Sequence, residues 1–169
     1  MRRLAATLVC ALLVCGATRA RGESSSHDFE LYDLGDRLLS LQKIRKGAKL
    51  VVVDFFAESC APCKAALGAW TELHRRYAGR GLALVVVAVP DDESDRSAAL
   101  ARVARYFKGR GVHFPVAWDK YRRVAKQYGV ARADTLSVPQ VFLLDREGAL
   151  LLKSEKVAPI REAIERRLR

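Results

Sequence analysis

Val51-Val52-Val53-Asp54-Phe55-Phe56-Ala57-Glu58-Ser59-Cys60-Ala61-Pro62-Cys63-Lys64 is the stretch that decides the reading of this chain. From Val51 to Phe56 five residues of six are apolar, the pattern of a strand covered on both faces, where β-branched and aromatic side chains pack well. Asp54 is the exception and is predicted to be buried. A Cys-x-x-Cys pair, Cys60 and Cys63, follows at the junction between this strand and a helix. Pro62 suits a helical first turn, whose backbone N–H has no intrahelical partner. The unpaired N–H groups and the dipole of that helix stabilise a thiolate on Cys60.

Two blander readings of the pair compete with a redox site. Zinc normally takes four ligands; no second Cys-x-x-Cys or Cys-x-x-His follows, and His74 and His113 stand alone, so no metal is assigned. A structural disulfide between residues three apart closes too small a loop to constrain the unfolded chain much. Thiol-disulfide chemistry is the better account.

The run Asp54 to Lys64 resembles the active-site segment of the thioredoxin superfamily. It departs from that pattern at Phe56 and Ser59, where thioredoxins usually carry Trp, at Ala61, where Gly is usual, and at Gly68, where a helix-kinking Pro is expected. Phe29-Glu30-Leu31-Tyr32 and Leu38 to Leu41 flank Asp33-Leu34-Gly35-Asp36, which reads as a short hairpin with Gly35 at the turn. This opening resembles the TlpA/ResA-like branch and is shared with peroxiredoxin-type domains. The resemblance implies an α/β, thioredoxin-like fold with a central mixed sheet, an N-terminal β-hairpin and an extra αβ insertion, extending over about residues 28–169.

Upstream of that domain the composition changes. Arg2 and Arg3 precede the apolar run Leu4 to Val14, and Gly16, Ala17 and Ala20 offer small residues for cleavage, so residues 1–20 read as a secretory signal peptide. Uncleaved, the segment would serve as a membrane anchor. Val14 stands before Cys15 where bacterial lipoproteins resemble one another in having Gly, Ala or Ser, which ranks lipidation lower. The polar stretch 21–27 reads as a linker. A periplasmic or otherwise exported location follows, and an oxidising one, where a dithiol stays reduced only if something supplies electrons. Loss of Arg2, Arg3 and Arg19 would take the formal net charge from +11 to +8. Such a surface is either simply solvated or attracted to anionic lipid or an acidic partner; export argues against nucleic acid.

Downstream, the active-site helix is predicted to end near Gly79 to Gly81, followed by an apolar strand, Leu82 to Val89, that Pro90 closes. The acids Asp91, Asp92, Glu93 and Asp95 precede a helical apolar period (Leu100, Val103, Phe107) and are assigned to capping rather than metal binding. The turn Lys108 to Gly111 stops this helix, Phe114 to Trp118 forms a short strand, and Asp119 caps a helix over Lys120 to Tyr128 that ends at Gly129. Asp91 to Trp118 is absent from thioredoxin itself and present in the TlpA-like branch. Ser137-Val138-Pro139-Gln140 leads into a hairpin of Val141 to Asp145 with Ala149 to Lys153; Pro at a strand start costs no ladder bond. The resemblance implies that the Val138-Pro139 bond is cis and faces the dithiol. A final helix shares Ile160, Ile164 and Leu168 on one face.

The resemblance implies a protein-disulfide oxidoreductase. Cys60 attacks, Cys63 resolves the mixed disulfide, buried Asp54 acts as base for Cys63, and the Val138 backbone beside Pro139 pairs with an extended substrate. No metal or organic cofactor is needed. The implied partners are cysteine-containing protein substrates and an upstream thiol electron donor, possible in membrane-bound form, with the enzyme a monomer. TlpA-like proteins reduce apocytochrome or copper-site cysteines, which favours reduction over oxidation. Competing readings are a copper(I)-binding thiol protein or metallochaperone, disfavoured because the only Met is Met1, and a peroxidase, disfavoured because Ala57-Glu58-Ser59-Cys60 stands where Thr-x-x-Cys is expected.

Overall fold

The computed structural model describes residues 27–133 and 135–169; the leader and nearly all of the linker read from the sequence lie outside them. Five strands form the central sheet: β3 (Leu50–Ala57), β4 (Leu82–Val89), β5 (Val116–Trp118), β8 (Gln140–Asp145) and β9 (Leu150–Ser154). Their order is β5-β4-β3-β8-β9, with β3, β4 and β5 mutually parallel and β8 and β9 antiparallel, a mixed sheet. All eight residues of β3 are buried, as its apolar run requires of a central strand.

Alternation along β3 divides the core. Phe56 turns to the face covered by α3 (Arg96–Phe107), where it meets Tyr106 and Phe107, while Phe55 turns to the other face and packs against Phe142 and Tyr128. α2 (Ala61–Tyr77) packs on β3 and β4 and against α5 (Val157–Arg167), in which Ile160 and Ile164 are fully buried and Leu168 follows them inside.

The N-terminal hairpin, β1 (Glu30–Tyr32) with β2 (Leu38–Ser40), forms where expected, but the residue with positive φ in its turn is Asp36 rather than Gly35. It lies alongside β5: Asp33 bridges Ala117 and the Leu34 N–H donates to the Val116 carbonyl, so the sheet's free edge on that side is covered. A short helix, α1 (Leu41–Lys46), carries buried Arg45, whose guanidinium donates to both carboxylate oxygens of Asp28 at 2.8 Å and to the Arg146 carbonyl at 2.9 Å. His27 and Asp28 are held in place, His27 through its carbonyl to the Tyr128 hydroxyl.

One further local expectation is corrected. The helix read over Lys120 to Tyr128 is only α4 (Arg123–Gln127), because Arg122 adopts a left-handed conformation, φ 50°, that a regular helix cannot contain. Asp119 still caps it, accepting from the Arg123 and Ala125 N–H groups. Between it and β8 the chain makes a small ribbon of β6 (Ala131–Arg132) and β7 (Thr135–Leu136), too short for an alternating pattern to register.

Candidate active site

β3 ends at Ala57, and two residues later the chain turns into α2 with Cys60 as the N-cap. The Cys60 sulfur accepts the Cys63 N–H at 3.1 Å, so an unpaired amide of the first helical turn is directed at it. Cys60 and Cys63 are joined as a disulfide. They differ in access: Cys60 is 8% exposed and Cys63 0%, its sulfur 3.8 Å from the Phe55 carbonyl. A thiol at the open end of the helix and a second one turn inward is the arrangement in which one sulfur can meet a partner and the other can close on it.

Asp54 lies on β3 between Val86 of β4 and Val141 of β8, and is 1% exposed. Neither carboxylate oxygen has a hydrogen-bond partner among the described residues. Burial pushes its pKa up to about 8, an effect the Trp70 indole partly opposes although its N–H makes no hydrogen bond of normal geometry. The adjacent strand offers no compensating cation, since β4 is apolar throughout.

The Val138-Pro139 peptide is cis, and the next residue, Gln140, pairs with Phe55, which puts Pro139 at the dithiol end of the sheet. Pro139, Pro62 and Asp54 line one cleft of about 340 Å³, completed by Ala65, Ala66 and Ala69 of α2 and by Val141, Glu155, Lys156 and Val157. Small side chains on that face of α2 leave the space, and Asp54 stands among them. Among the predicted site residues, then, the structure brings Cys60 and Cys63 together at one helix end and puts Asp54 and Pro139 in one neighbouring cleft; Val138 joins the site through its peptide with Pro139.

Three contributors were not read from the sequence. Glu58 and Lys64 form an ion pair at 2.7 Å that flanks the dithiol turn, and its hydrogen bond to Lys64 holds the Glu58 carboxyl below the usual range. Lys64 also lies over the Tyr106 ring. Asp91, assigned to helix capping, instead accepts from the Ser59 hydroxyl and, at 3.3 to 3.4 Å, from the Ser59 N–H; only Asp92 of that acid run caps locally, taking the Ser94 N–H. The signal for the Ser59 contact was the strand pairing itself: Ala57 is level with Val89, so two residues beyond each strand Ser59 meets Asp91.

The sheet order, the cis proline and the dithiol at a helix N-terminus define a thioredoxin-like thiol-disulfide oxidoreductase. The chain belongs to the AhpC/TSA family, whose model matches residues 24–152. It is 26% identical over 162 residues to the thiol-disulfide oxidoreductase ResA of Bacillus thuringiensis, spanning 88% of this chain and 86% of that protein. To ResA of Bacillus cereus it is 28% identical over 124 residues, 73% of this chain and 64% of that one. A solved Chlorobium tepidum structure assigned as the thiol:disulfide interchange protein DsbE superposes with a TM-score of 0.62 at 27% identity, covering 85% of this chain and 92% of the other.

Proposed function

We propose that the protein works outside the cytoplasm as a reductant of disulfides in other proteins. Cys60 thiolate attacks a substrate disulfide, forming a mixed disulfide and releasing one substrate thiolate; Cys63 then attacks the Cys60 sulfur, which frees the second substrate thiolate and leaves Cys60–Cys63 oxidised. Two electrons pass from the dithiol to the substrate, and an upstream thiol donor restores them. The observation that carries the exchange chemistry, with Cys60 attacking and Cys63 resolving, is the asymmetry of the pair, Cys60 at the mouth of α2 accepting an amide hydrogen bond and Cys63 sealed beneath it.

Asp54 takes the proton of Cys63 during resolution, for which a carboxyl titrating near pH 8 is suited. The Val138 backbone, next to Pro139, offers strand-like pairing to an extended substrate segment, with cysteine-containing proteins as the substrate class. The apolar leader read at residues 1–20, and the ResA and DsbE names of the relatives, support export.

The test is the reduction potential of the pair, measured by equilibration with glutathione or dithiothreitol buffers. A value near thioredoxin's, about −270 mV, supports a reductant; one near that of DsbA, about −120 mV, overturns that direction and assigns an oxidant.

A further inference from the structure

From the contact between the dithiol turn and the loop after β4, we infer that Asp91 is a positioning residue that holds Ser59 and keeps a negative charge beside Cys60, making the Cys60 thiol less acidic and the disulfide harder to reduce. This rests on the reading of Cys60 as the attacking thiol.

Ser59 is the residue immediately before the N-cap, and its hydroxyl and N–H both turn to the Asp91 carboxylate. The backbone that carries that carboxylate is held in place. The Arg122 guanidinium, 3% exposed and in the left-handed conformation already noted, donates to the Pro90 carbonyl at 2.8 and 3.0 Å and to the Asp91 carbonyl. The residue after the strand is thus clamped from behind by a buried cation and turned forward onto the active-site turn. Among the described residues the first turn of α2 contains no acid of its own, so Asp91 brings a carboxylate to a helix end whose amides carry positive character.

The charged groups around Cys60 come from several elements. Glu58 is neutralised by Lys64, Asp54 lies beneath on β3, and Arg122 faces the backbone of the Asp91 loop, with Asp92 and Glu93 beyond it. An anion near Cys60 opposes the N-terminal amides that favour the thiolate. Because thiolate stabilisation favours the dithiol over the disulfide, the same anion biases the couple, disulfide plus two electrons and two protons to dithiol, toward the oxidised side and so makes the reduced enzyme a stronger reductant.

The experiment uses reduced full-length protein in wild-type, Asp91→Asn, Ser59→Ala and Glu162→Gln forms. Rates of iodoacetamide alkylation against pH give the thiol pKa, peptide mapping identifies the labelled cysteine, and glutathione equilibration gives the fraction oxidised. Expected is a fall of the Cys60 pKa by half a unit or more in Asp91→Asn, with a three-fold or greater shift of the glutathione equilibrium toward the dithiol; both effects should shrink in 1 M salt. Ser59→Ala, which keeps the carboxylate and the backbone N–H, should show a smaller change, and remote Glu162→Gln none. An unchanged Cys60 pKa in Asp91→Asn overturns the inference while leaving Cys60 as nucleophile. So does a shift in Ser59→Ala equal to that in Asp91→Asn, or one matched by Glu162→Gln. Labelling first at Cys63 overturns the reading of Cys60 itself, and the inference with it.

Discussion

Replacing Asp54 with Asn tests the buried acid through stability as well as rate. The carboxyl has an ordinary pKa of 3.8 in the unfolded chain and about 8 in the fold. A folded-state pKa raised in this way costs nothing below pH 3.8, where both states are protonated. The cost grows as pH rises, because only the unfolded state ionises freely, and it levels off above about pH 8. Each unit in that window is worth about 1.4 kcal/mol, so at pH 7 the native protein loses about 4 kcal/mol, a large share of the roughly 5–15 kcal/mol that holds a domain folded. Asn cannot ionise. Its amide has no partner in the site either, which adds a penalty of about 1–3 kcal/mol, but one independent of pH. Urea melts of the disulfide form should therefore show the Asn variant gaining on wild type by about 4 kcal/mol between pH 5 and pH 8, a relative midpoint change of about 2 M for a typical urea dependence. Mixed-disulfide resolution in the same variant should slow by about 10- to 100-fold near neutral pH. Parallel midpoints across pH would show that Asp54 is not a desolvated acid, and an unchanged resolution rate and pH profile would remove it from the chemistry.

Cys60→Ser should abolish disulfide exchange, whereas Cys63→Ser should accumulate a mixed disulfide with substrate, visible on non-reducing gels; trapping by the opposite variant would reverse the two roles. Arg45→Ala removes two hydrogen bonds to the Asp28 carboxylate and one to the Arg146 carbonyl, and should cost about 3 kcal/mol in urea denaturation, with a loss under 1 kcal/mol refuting the importance of that buried pair. Phe55→Ala empties the space between Tyr128 and Phe142 and should cost about 3–5 kcal/mol by the same assay; a smaller loss would mean the surrounding rings collapse into the gap.

The sequence revealed those features that depend on one continuous segment. The apolar run of β3, the Cys-x-x-Cys spacing and Pro62 are local signals, and they located the dithiol and the start of its helix, while the end read near Gly79 to Gly81 falls earlier, at Tyr77. Asp54 stood out because a lone acid in such a run has nowhere to go but inside. What stayed hidden depends on two segments meeting. The Ser59–Asp91 contact requires knowing that β3 and β4 run parallel in a given register, and the cleft requires knowing that the small residues of α2 face the turn around Glu155 to Val157. The helix read after Asp119 is longer than the one formed because nothing local forbids Arg122 from a helical conformation, whereas in the fold it is left-handed with its guanidinium buried against the Pro90 and Asp91 carbonyls.

The pairing of β3 with β8 joins Val53 to Phe142, residues that stand nearly ninety positions apart. The β3–α2–β4 unit that presents the cysteines is made of near neighbours, and so is the β8–β9 hairpin, but the wall of the cleft that carries Pro139 belongs to the second and the dithiol to the first. Closing a loop of that length costs about 4 kcal/mol of chain entropy before any contact across it repays the cost, and pairings so distant in sequence form late. A chain emerging from synthesis in order therefore presents Cys60 and Cys63 before the wall that carries Pro139 stands beside them. That wall is completed only by the final 30 residues, from Gln140 to Arg169, so truncation ahead of β8 should leave the thiol pair without it.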